Sequence, residues 1–433
     1  MTPLQKKLFS GVLFSALGLS SIAAHATNGY FAHGYGARSK AMAGSGVAFS
    51  QDAVAGALNP AGLVYVGTRL DVEVELFSPL RQYTVQGGPT PTSTFPLATG
   101  TVESQSDVFV VPTVGWSYKI DNKQSVGVTL YGNGGMNTDY PVTPSASPSS
   151  PNCPQGGTFC AGFTGVDLSQ AFLVGSYAHS FADGRYALGI SPIFAVQTFK
   201  ANGLANFGNS SSDPQRLSNA GRDYSYGAGF RVGGQAELIP GVRLGAAYKS
   251  RIYMTKLNSY SGLFAEQGGF DIPDSFNVGL SWAMNKAITT AFDVEQIRYS
   301  QVNSVGNSFQ SFLQGVPLGA NNGPGFGWKD MTIYKLGAQW QQSEKLILRG
   351  GVSYGQQPID SSQVLFNILA PGVQEWHLTT GFSYAFTDKD DLGFAFMYSP
   401  PKTVTGQNPL SSGQTIELQM YQFSGQFAWS RRF

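Results

Sequence analysis

The sequence is poor in charged residues. Asp, Glu, Lys and Arg make up 12% of its 433 residues, whereas soluble proteins average about 25%. The formal net charge is +1, so neither sign is in excess to attract a nucleic acid or an acidic partner. Glycine, with 54 residues, and aromatic residues, at 13%, are abundant instead. This composition is typical of strands that meet lipid on one face.

Long apolar runs are also lacking after the first residues of the chain, so the sequence contains no candidate for a transmembrane helix. Residues 1–26 have the pattern of a cleaved signal peptide: two lysines, an apolar run over residues 8–19, and the small residues Ala24 and Ala26 before the cleavage point. Serines interrupt that run, which makes it too short for a membrane anchor. We therefore predict an exported protein.

Cysteine and histidine are scarce. Cys153 and Cys160 lie in one Pro/Gly-rich loop, and in an exported protein such a pair favours a disulfide over a metal site, because no third thiolate or nearby imidazole completes a metal shell. After the signal peptide the only histidines are His33, His179 and His377. A serine-based enzyme would need a positioned histidine within a motif, and none accompanies these. We predict no catalytic residue, no metal and no cofactor.

From Arg69 onward, apolar and polar residues alternate in about fourteen runs, the period-2 pattern of a strand with two unlike faces. Short connections alternate with long ones, as do the periplasmic turns and outer loops of transmembrane barrels. The predicted fold is all-β, a 14-stranded antiparallel transmembrane β-barrel over residues 69–433. The predicted strands are residues 69–85, 106–118, 123–132, 168–181, 185–199, 225–238, 242–254, 273–284, 287–301, 330–341, 345–356, 374–385, 389–399 and 416–432.

The two faces of these strands differ in chemistry. In the last strand Phe423, Phe427 and Trp429 share one side, while Gln422 and Gln426 share the other. A soluble sandwich also alternates, but it buries its aromatic face and rarely places aromatic residues at strand ends. The polar faces predict a lumen wall with charges of both signs, formed by Asp71, Glu73, Glu75, Arg231, Glu237, Arg243, Lys249, Arg251, Asp293, Glu295, Lys335, Arg349 and Glu375.

Residues 27–68, here called the leading segment, do not alternate and are rich in glycine and alanine. A compact segment in front of a run of strands suggests a plug in front of a barrel. We therefore predict that residues 27–68 form a hatch inside the barrel.

Several motifs resemble the FadL family of outer-membrane transporters for long-chain fatty acids and aromatic hydrocarbons. The most specific are Gly-x-Arg-x-x-x-x-Ala-Gly at residues 36–44 and Asn59-Pro60-Ala61. Weaker similarities are Tyr131-Gly-Asn-Gly-Gly-Met-Asn-Thr-Asp-Tyr140 and Asp293-Val-Glu-Gln296. In that family a hatch blocks a fourteen-stranded barrel. A hydrophobic substrate binds a groove among the outer loops, moves to a pocket at the hatch and leaves sideways at a kink in the third strand.

The resemblance implies roles for four groups of residues. The hatch and its gating would use Asn59, Pro60, Ala61, Gly36, Arg38 and Gly44. The substrate pocket would use Tyr30, Phe31 and Met42, with Lys249 and Arg251 for a carboxylate head group. The outer-loop groove would use Leu204, Phe207, Leu257, Leu263, Phe264 and Phe270, although these side chains would also serve to pack the loops against each other. The kink at the lateral exit would use Gly127, Gly132, Gly134 and Gly135, because glycine tolerates bulges.

The expected function is passive uptake of hydrophobic molecules by a monomer in contact with outer-membrane lipid. A general porin and a surface adhesin or receptor stay open as alternatives. The sequence does not distinguish a fatty acid, an alkane and an aromatic compound as the substrate.

Overall fold

The structure, a computed structural model, describes residues 27–88, 90, 95–142 and 155–433. The predicted signal peptide, residues 1–26, lies outside the described residues. No helix within the described ranges is long and apolar enough to cross a membrane.

Fourteen long strands form a closed antiparallel barrel, in which each strand pairs with its neighbours and the last pairs with the first. Two short strands, β2 and β9, pair at its rim with β1 and β7. The strands are β1 Arg69–Gln86, β2 Gly100–Glu103, β3 Phe109–Lys119, β4 Gln124–Asn137, β5 Gly165–Phe181, β6 Tyr186–Asn202, β7 Asp223–Ile239, β8 Val242–Lys249, β9 Tyr253–Met254, β10 Ser275–Ala283, β11 Ile288–Ile297, β12 Met331–Gln341, β13 Leu346–Gly355, β14 Trp376–Ala385, β15 Asp390–Gln407 and β16 Thr415–Arg432.

The helices are short and lie in the leading segment and the connections. The α-helices are α1 Ala37–Lys40, α2 Ala265–Gly268, α3 Asn303–Gly306, α4 Gln310–Leu313 and α5 Val364–Asn367. Turns of 3₁₀ helix cover Ala53–Ala57, Pro60–Tyr65, Ala182–Gly184, Ala205–Ser210, Pro214–Arg216, Asn258–Tyr260, Tyr299–Gln301 and Ser361–Gln363.

The alternation of the sequence becomes the two faces of the barrel wall. In β16, Phe423 and Phe427 point outward and are exposed, whereas Gln422 and Gln426 point inward and are buried. Exposed Leu, Phe, Tyr and Trp recur on the outer face of the other strands. The prediction of a 14-stranded transmembrane barrel is confirmed.

Several predicted strand limits were wrong. The predicted strand over residues 242–254 divides into β8, which pairs with β7 and β10, and the two-residue β9, which pairs with β7. The strand predicted to stop at residue 399, before two prolines that lack an amide donor, continues to Gln407, because a register shift between Ser399 and Lys402 accommodates them. The strand predicted to end at residue 132 continues to Asn137.

The leading segment lies inside this barrel and is almost entirely buried. Its hydrogen-bond partners are inward-facing residues from strands all around the wall, among them Glu73 in β1, Gln235 in β7, Asp293 in β11 and Thr379 in β14. A single segment reaches all of these strands only from the lumen.

Candidate functional site

Ion pairs hold the first part of the leading segment to the wall. Arg38 Nη2 lies 2.5 Å from Asp391 Oδ1 in β15, and its Nη1 lies 3.7 Å from Asp71 Oδ1 in β1. Lys40 pairs with Glu75, also in β1. All five side chains are buried, so each charge is neutralised inside the barrel, as buried charges require. Inward-facing acids of β1 and β15 therefore fix helix α1.

A second group of contacts fixes the later part of the segment. Asn59 Oδ1 accepts a hydrogen bond from Ala61 N at 3.1 Å and so caps the 3₁₀ turn that begins at Pro60. Asn59 Nδ2 donates to Val47 O at 2.8 Å and to Gly234 O of β7 at 3.1 Å. The Asn-Pro-Ala motif thus joins two parts of the segment to the wall.

Glycines allow the backbones to approach each other. A Cβ on Gly245 in β8 would lie 2.3 Å from Val47 O, so a side chain there would push the segment off the wall. Gly44 has a φ of 79°, and a Cβ on it would meet His33 O at 1.8 Å. Gly36 precedes α1 with a φ of 82°. Two of the predicted hatch glycines therefore occupy backbone positions that disfavour other residues.

The start of the leading segment packs into a buried cluster of rings, here called the aromatic pocket: Tyr30, Phe31, Phe172, Phe270, Tyr299 and Trp328. The Tyr30 ring centroid lies 5.1 Å from that of Tyr299, 5.8 Å from Trp328 and 6.1 Å from Phe270. Burial raises the pKa of the Tyr30 and Tyr299 hydroxyls well above their usual value. Both phenols are therefore neutral at physiological pH, and the pocket is apolar with few polar atoms.

One buried lysine faces this pocket with no hydrogen-bond partner among the described residues. Lys249 Nζ, at the end of β8, lies 4.1 Å from the centroid of the Phe31 ring and 5.6 Å from that of Phe172. The side chain is 1% exposed, and no described residue gives Nζ a hydrogen bond. Arg231, opposite Lys249 in the β7–β8 pair, also has a buried Nη1 without a described partner. Ring faces stabilise a cation in part, but within the described ranges neither group forms an ion pair with a carboxylate.

Two predicted pocket residues lie elsewhere. Met42 packs against the inner wall at Gly337 in β12 and Gly351 in β13, outside the aromatic pocket. Arg251 pairs with Asp271 at 2.8 Å and also donates to Gln301 O. Its charge is already satisfied, so the two basic residues that the sequence grouped together are in different electrostatic states.

The outer loops surround a small apolar cavity of about 30 Å³ that is partly open to solvent. Of the six predicted groove residues, Leu204, Phe207, Leu263 and Phe264 line it. Phe270 belongs to the aromatic pocket instead, and Leu257 is buried within the loops.

Aromatic rings connect this cavity to the aromatic pocket. Phe264, in the cavity wall, lies 4.8 Å from Phe270, whose ring lies 6.1 Å from Tyr30. A smaller cavity of about 10 Å³ lies beside Trp328, and it is lined by Gly29, Arg81, Met136, Asn137, Trp328, Ala370, Pro371, Gly372 and Met420. Apolar surfaces therefore extend from the outer loops to the inner face of β4.

At β4 the regular ladder of the wall is interrupted. β3 pairs with β4 only from Lys119↔Ser125 to Val114↔Leu130, and the register between β4 and β5 shifts between Gly132 and Gly134. The remaining part of β4 bonds to the leading segment, since Gly135 N donates to Tyr30 O at 2.9 Å.

Three of the four predicted exit glycines, Gly132, Gly134 and Gly135, lie at this interruption. Gly127 lies in the regular part of the ladder, paired with Ser117 and Ser176.

Sequence analysis missed four residues that contribute to the site. Phe172, Tyr299 and Trp328 supply half of the aromatic pocket, and Asn133 is the residue that the β4–β5 register leaves out. The position of Phe172 on the lumen face of an alternating strand was a usable signal. Asn133 and Trp328 lie in motifs that resemble the family, but the motifs gave neither residue a role, and no local pattern marked Tyr299.

Cys160 is disulfide-bonded. Cys153, the other cysteine of the sequence, lies outside the described residues.

Comparison with known proteins relates most of the chain to transport proteins. A family model described as outer membrane protein transport protein (OMPP1/FadL/TodX) matches residues 18–426. No curated protein sequence matches the chain.

Several solved structures have a similar fold. The Pseudomonas putida toluene transporter TodX superposes with a TM-score of 0.68 at 17% identity, over 93% of this chain and 99% of that one. A Pseudomonas aeruginosa FadL homologue gives 0.64 at 14% identity, over 93% and 98%. The Ralstonia pickettii toluene transporter TbuX gives 0.62 at 17% identity, over 93% and 99%. At these identities the likeness concerns the fold alone.

Proposed function

The chain belongs to the OMPP1/FadL/TodX family of outer membrane transport proteins, its barrel lies in the outer membrane, and we propose that it is a channel for passive uptake of hydrophobic molecules. One observation carries the proposal. An apolar cavity among the outer loops connects through Phe264 and Phe270 to the aromatic pocket inside a lumen that the leading segment fills.

Hydrophobic molecules are poorly solvated by water. Each CH₂ group left in water forgoes about 0.8 kcal/mol relative to an apolar environment. A hydrophobic molecule therefore gains little from a wide aqueous pore and much from a series of apolar sites. The loop cavity, the aromatic pocket and the small cavity beside Trp328 form such a series.

In this proposal the leading segment, residues 27–68, is the hatch of the barrel formed by residues 69–433. It keeps the lumen closed to ions and polar solutes while the ligand passes from one apolar site to the next. The interrupted pairing of β3 and β4 is the lateral exit, through which the ligand leaves into outer-membrane lipid. A monomer contains all of these parts.

We further propose that the preferred ligand is an amphiphile with a carboxylate, such as a long-chain fatty acid. The buried Lys249 ammonium supports this choice, because it faces the aromatic pocket with no described partner. A carboxylate would supply the hydrogen-bond acceptor that it lacks, and hydrogen bonds between charged groups are the strong ones. A neutral arene would leave the cation unpaired.

The test is uptake by Gram-negative cells that lack their own channel of this class. Cells producing the protein should take up radiolabelled dodecanoate in a saturable way and should exclude a trisaccharide. Dodecanoate uptake no faster than in cells without the protein would refute the proposal. Entry of the trisaccharide would favour a general porin.

A further inference from the structure

At the proposed lateral exit, strands β3 and β4 separate. β3 continues to Phe109 without β4, and β4 continues to Asn137 without β3. The separation begins after Leu130, three residues before Asn133, which has no partner in β5 at the register shift. Such a bulge bends its strand and ends regular pairing. The inserted residue therefore determines where the wall opens.

Asn133 is held from outside the ladder by three hydrogen bonds. Its Oδ1 accepts from the Tyr35 hydroxyl at 3.0 Å, its Nδ2 donates to Gln170 Oε1 at 3.1 Å, and its backbone oxygen accepts from Ala32 N at 3.0 Å. The residue is fully buried. Both polar groups of its amide thus have partners that exist only while the bulge keeps the side chain in the lumen.

A chain of amides fixes the orientation of Gln170. Gln170 Nε2 donates to Gln197 Oε1 at 3.1 Å, and Gln197 Nε2 donates to Phe270 O at 2.8 Å. Because Gln197 must donate to that carbonyl, its oxygen faces Gln170, and the oxygen of Gln170 must then face Asn133. Three strands and an outer loop therefore favour one orientation of the Asn133 amide.

We propose that Asn133 is a positioning residue that keeps the lateral exit open by fixing the bulge of β4. Without its amide, the inserted residue loses both side-chain hydrogen bonds and keeps only the backbone bond from Ala32 N, so β4 is freer to continue its pairing with β3. This inference rests on the proposed function at one point only, which is that the ligand leaves through the gap between β3 and β4. The claim about the bulge itself stands on the contacts.

The experiment compares Asn133→Ala with Tyr35→Phe, which removes a single hydroxyl, and with Ser176→Ala as the matched control. Ser176 has a buried hydrogen bond to Ser191, at 2.7 Å, on the lumen side of β5 away from the break. Three quantities are measured on the full chain: the initial rate of dodecanoate uptake, the equilibrium affinity for dodecanoate in detergent, and amide hydrogen exchange in residues 109–113 and 131–137.

Asn133→Ala should lower the uptake rate at least tenfold and leave the affinity within about twofold. The exchange of both peptides should become slower, since the two strands now pair. Tyr35→Phe should change rate and exchange in the same direction but less, by about fivefold, as expected for the loss of one hydrogen bond. In the Asn133→Ala background Tyr35→Phe should add nothing.

If Asn133 only stabilises the fold, its replacement should loosen both strands and make their amides exchange faster. If Asn133→Ala makes both peptides exchange faster, or lowers affinity together with rate, the positioning role is refuted. Unchanged uptake with slower exchange would refute the use of this opening as the exit. Wild-type protein that takes up no dodecanoate would overturn the proposed function, while the exchange result would still decide the claim about the bulge.

Discussion

Replacing Lys249 by methionine removes the charge from the aromatic pocket and keeps an unbranched apolar side chain of similar length. If a carboxylate binds to Nζ, the variant loses a charge-assisted hydrogen bond worth about 1.5–3 kcal/mol. This corresponds to a dodecanoate affinity about 10- to 150-fold lower. Dodecanol, which has no charge, should bind the variant at least as well as the wild type.

The same substitution should stabilise the empty protein. Lys249 is 1% exposed and lacks a described hydrogen-bond partner, and burying an amine without a hydrogen-bond partner is costly even above aromatic rings. Removing it should therefore raise the midpoint of thermal unfolding in detergent.

Isothermal titration calorimetry on purified protein, with dodecanoate and dodecanol in turn, measures both affinities. The matched control is Lys329→Met, because Lys329 pairs with Asp360 in the outer loops and its side chain is 69% exposed. That control should bind both ligands like the wild type. Equal loss of dodecanoate and dodecanol in Lys249→Met, or no loss of either, would refute the carboxylate assignment.

Further predictions concern the seating of the leading segment. Asn59→Ala removes a cap and its wall contacts, together worth about 2 kcal/mol, and should speed amide exchange of residues 37–66 while that of the barrel strands stays slow. Gly245→Ala should displace the segment, since the new Cβ would meet Val47 O at 2.3 Å, and should raise ion conductance in planar bilayers. A Cβ on Gly175 would have no atom within 4 Å, so Gly175→Ala should leave the ion conductance unchanged. Equal conductance in the two variants would mean that the close contact between Gly245 and Val47 does not seat the segment. Burial raises the pKa of Asp52, so Asp52 binds a proton more readily when the leading segment is seated in the lumen than when the segment is released. The seated state therefore gains stability as the pH falls from that raised pKa toward the ordinary aspartate value. Exchange of residues 37–66, corrected for its intrinsic pH dependence, should slow on acidification in the wild type and slow less in Asp52→Asn, in which the buried carboxyl groups of Glu73 and Asp293 still take up protons.

Alternation along the chain was enough to predict the barrel, because the lumen and the lipid select for opposite chemistry. Gln422 and Phe423 are adjacent in sequence and point to opposite sides of the wall. The same rule misjudged strand ends wherever one residue or one pair broke the period. The pairing of β15 past Pro400 and Pro401 depends on a register shift that the sequence does not mark.

The site was less accessible to sequence reasoning because its properties arise between distant segments. Lys249 and Arg251 are two residues apart, yet Lys249 Nζ has no hydrogen-bond partner in the described part of the chain, whereas Arg251 bonds to Asp271. Met42 was expected in the pocket as a hatch hydrophobe, but glycines in β12 and β13 give it a place at the wall. Asn133 stood within a run of glycines, and its importance follows only from the register of β4 against β5.

In the proposed function, hydrophobic molecules cross this barrel while its lumen stays closed to ions. Planar-bilayer conductance of the full-length protein, recorded as dodecanoate is supplied on the outer side, tests this most directly when dodecanoate uptake by cells producing the same protein is measured alongside. We expect saturable uptake, with conductance that does not rise above that of the protein-free bilayer. A large steady conductance that accompanies uptake would contradict it and would mean that the ligand passes through an aqueous pore.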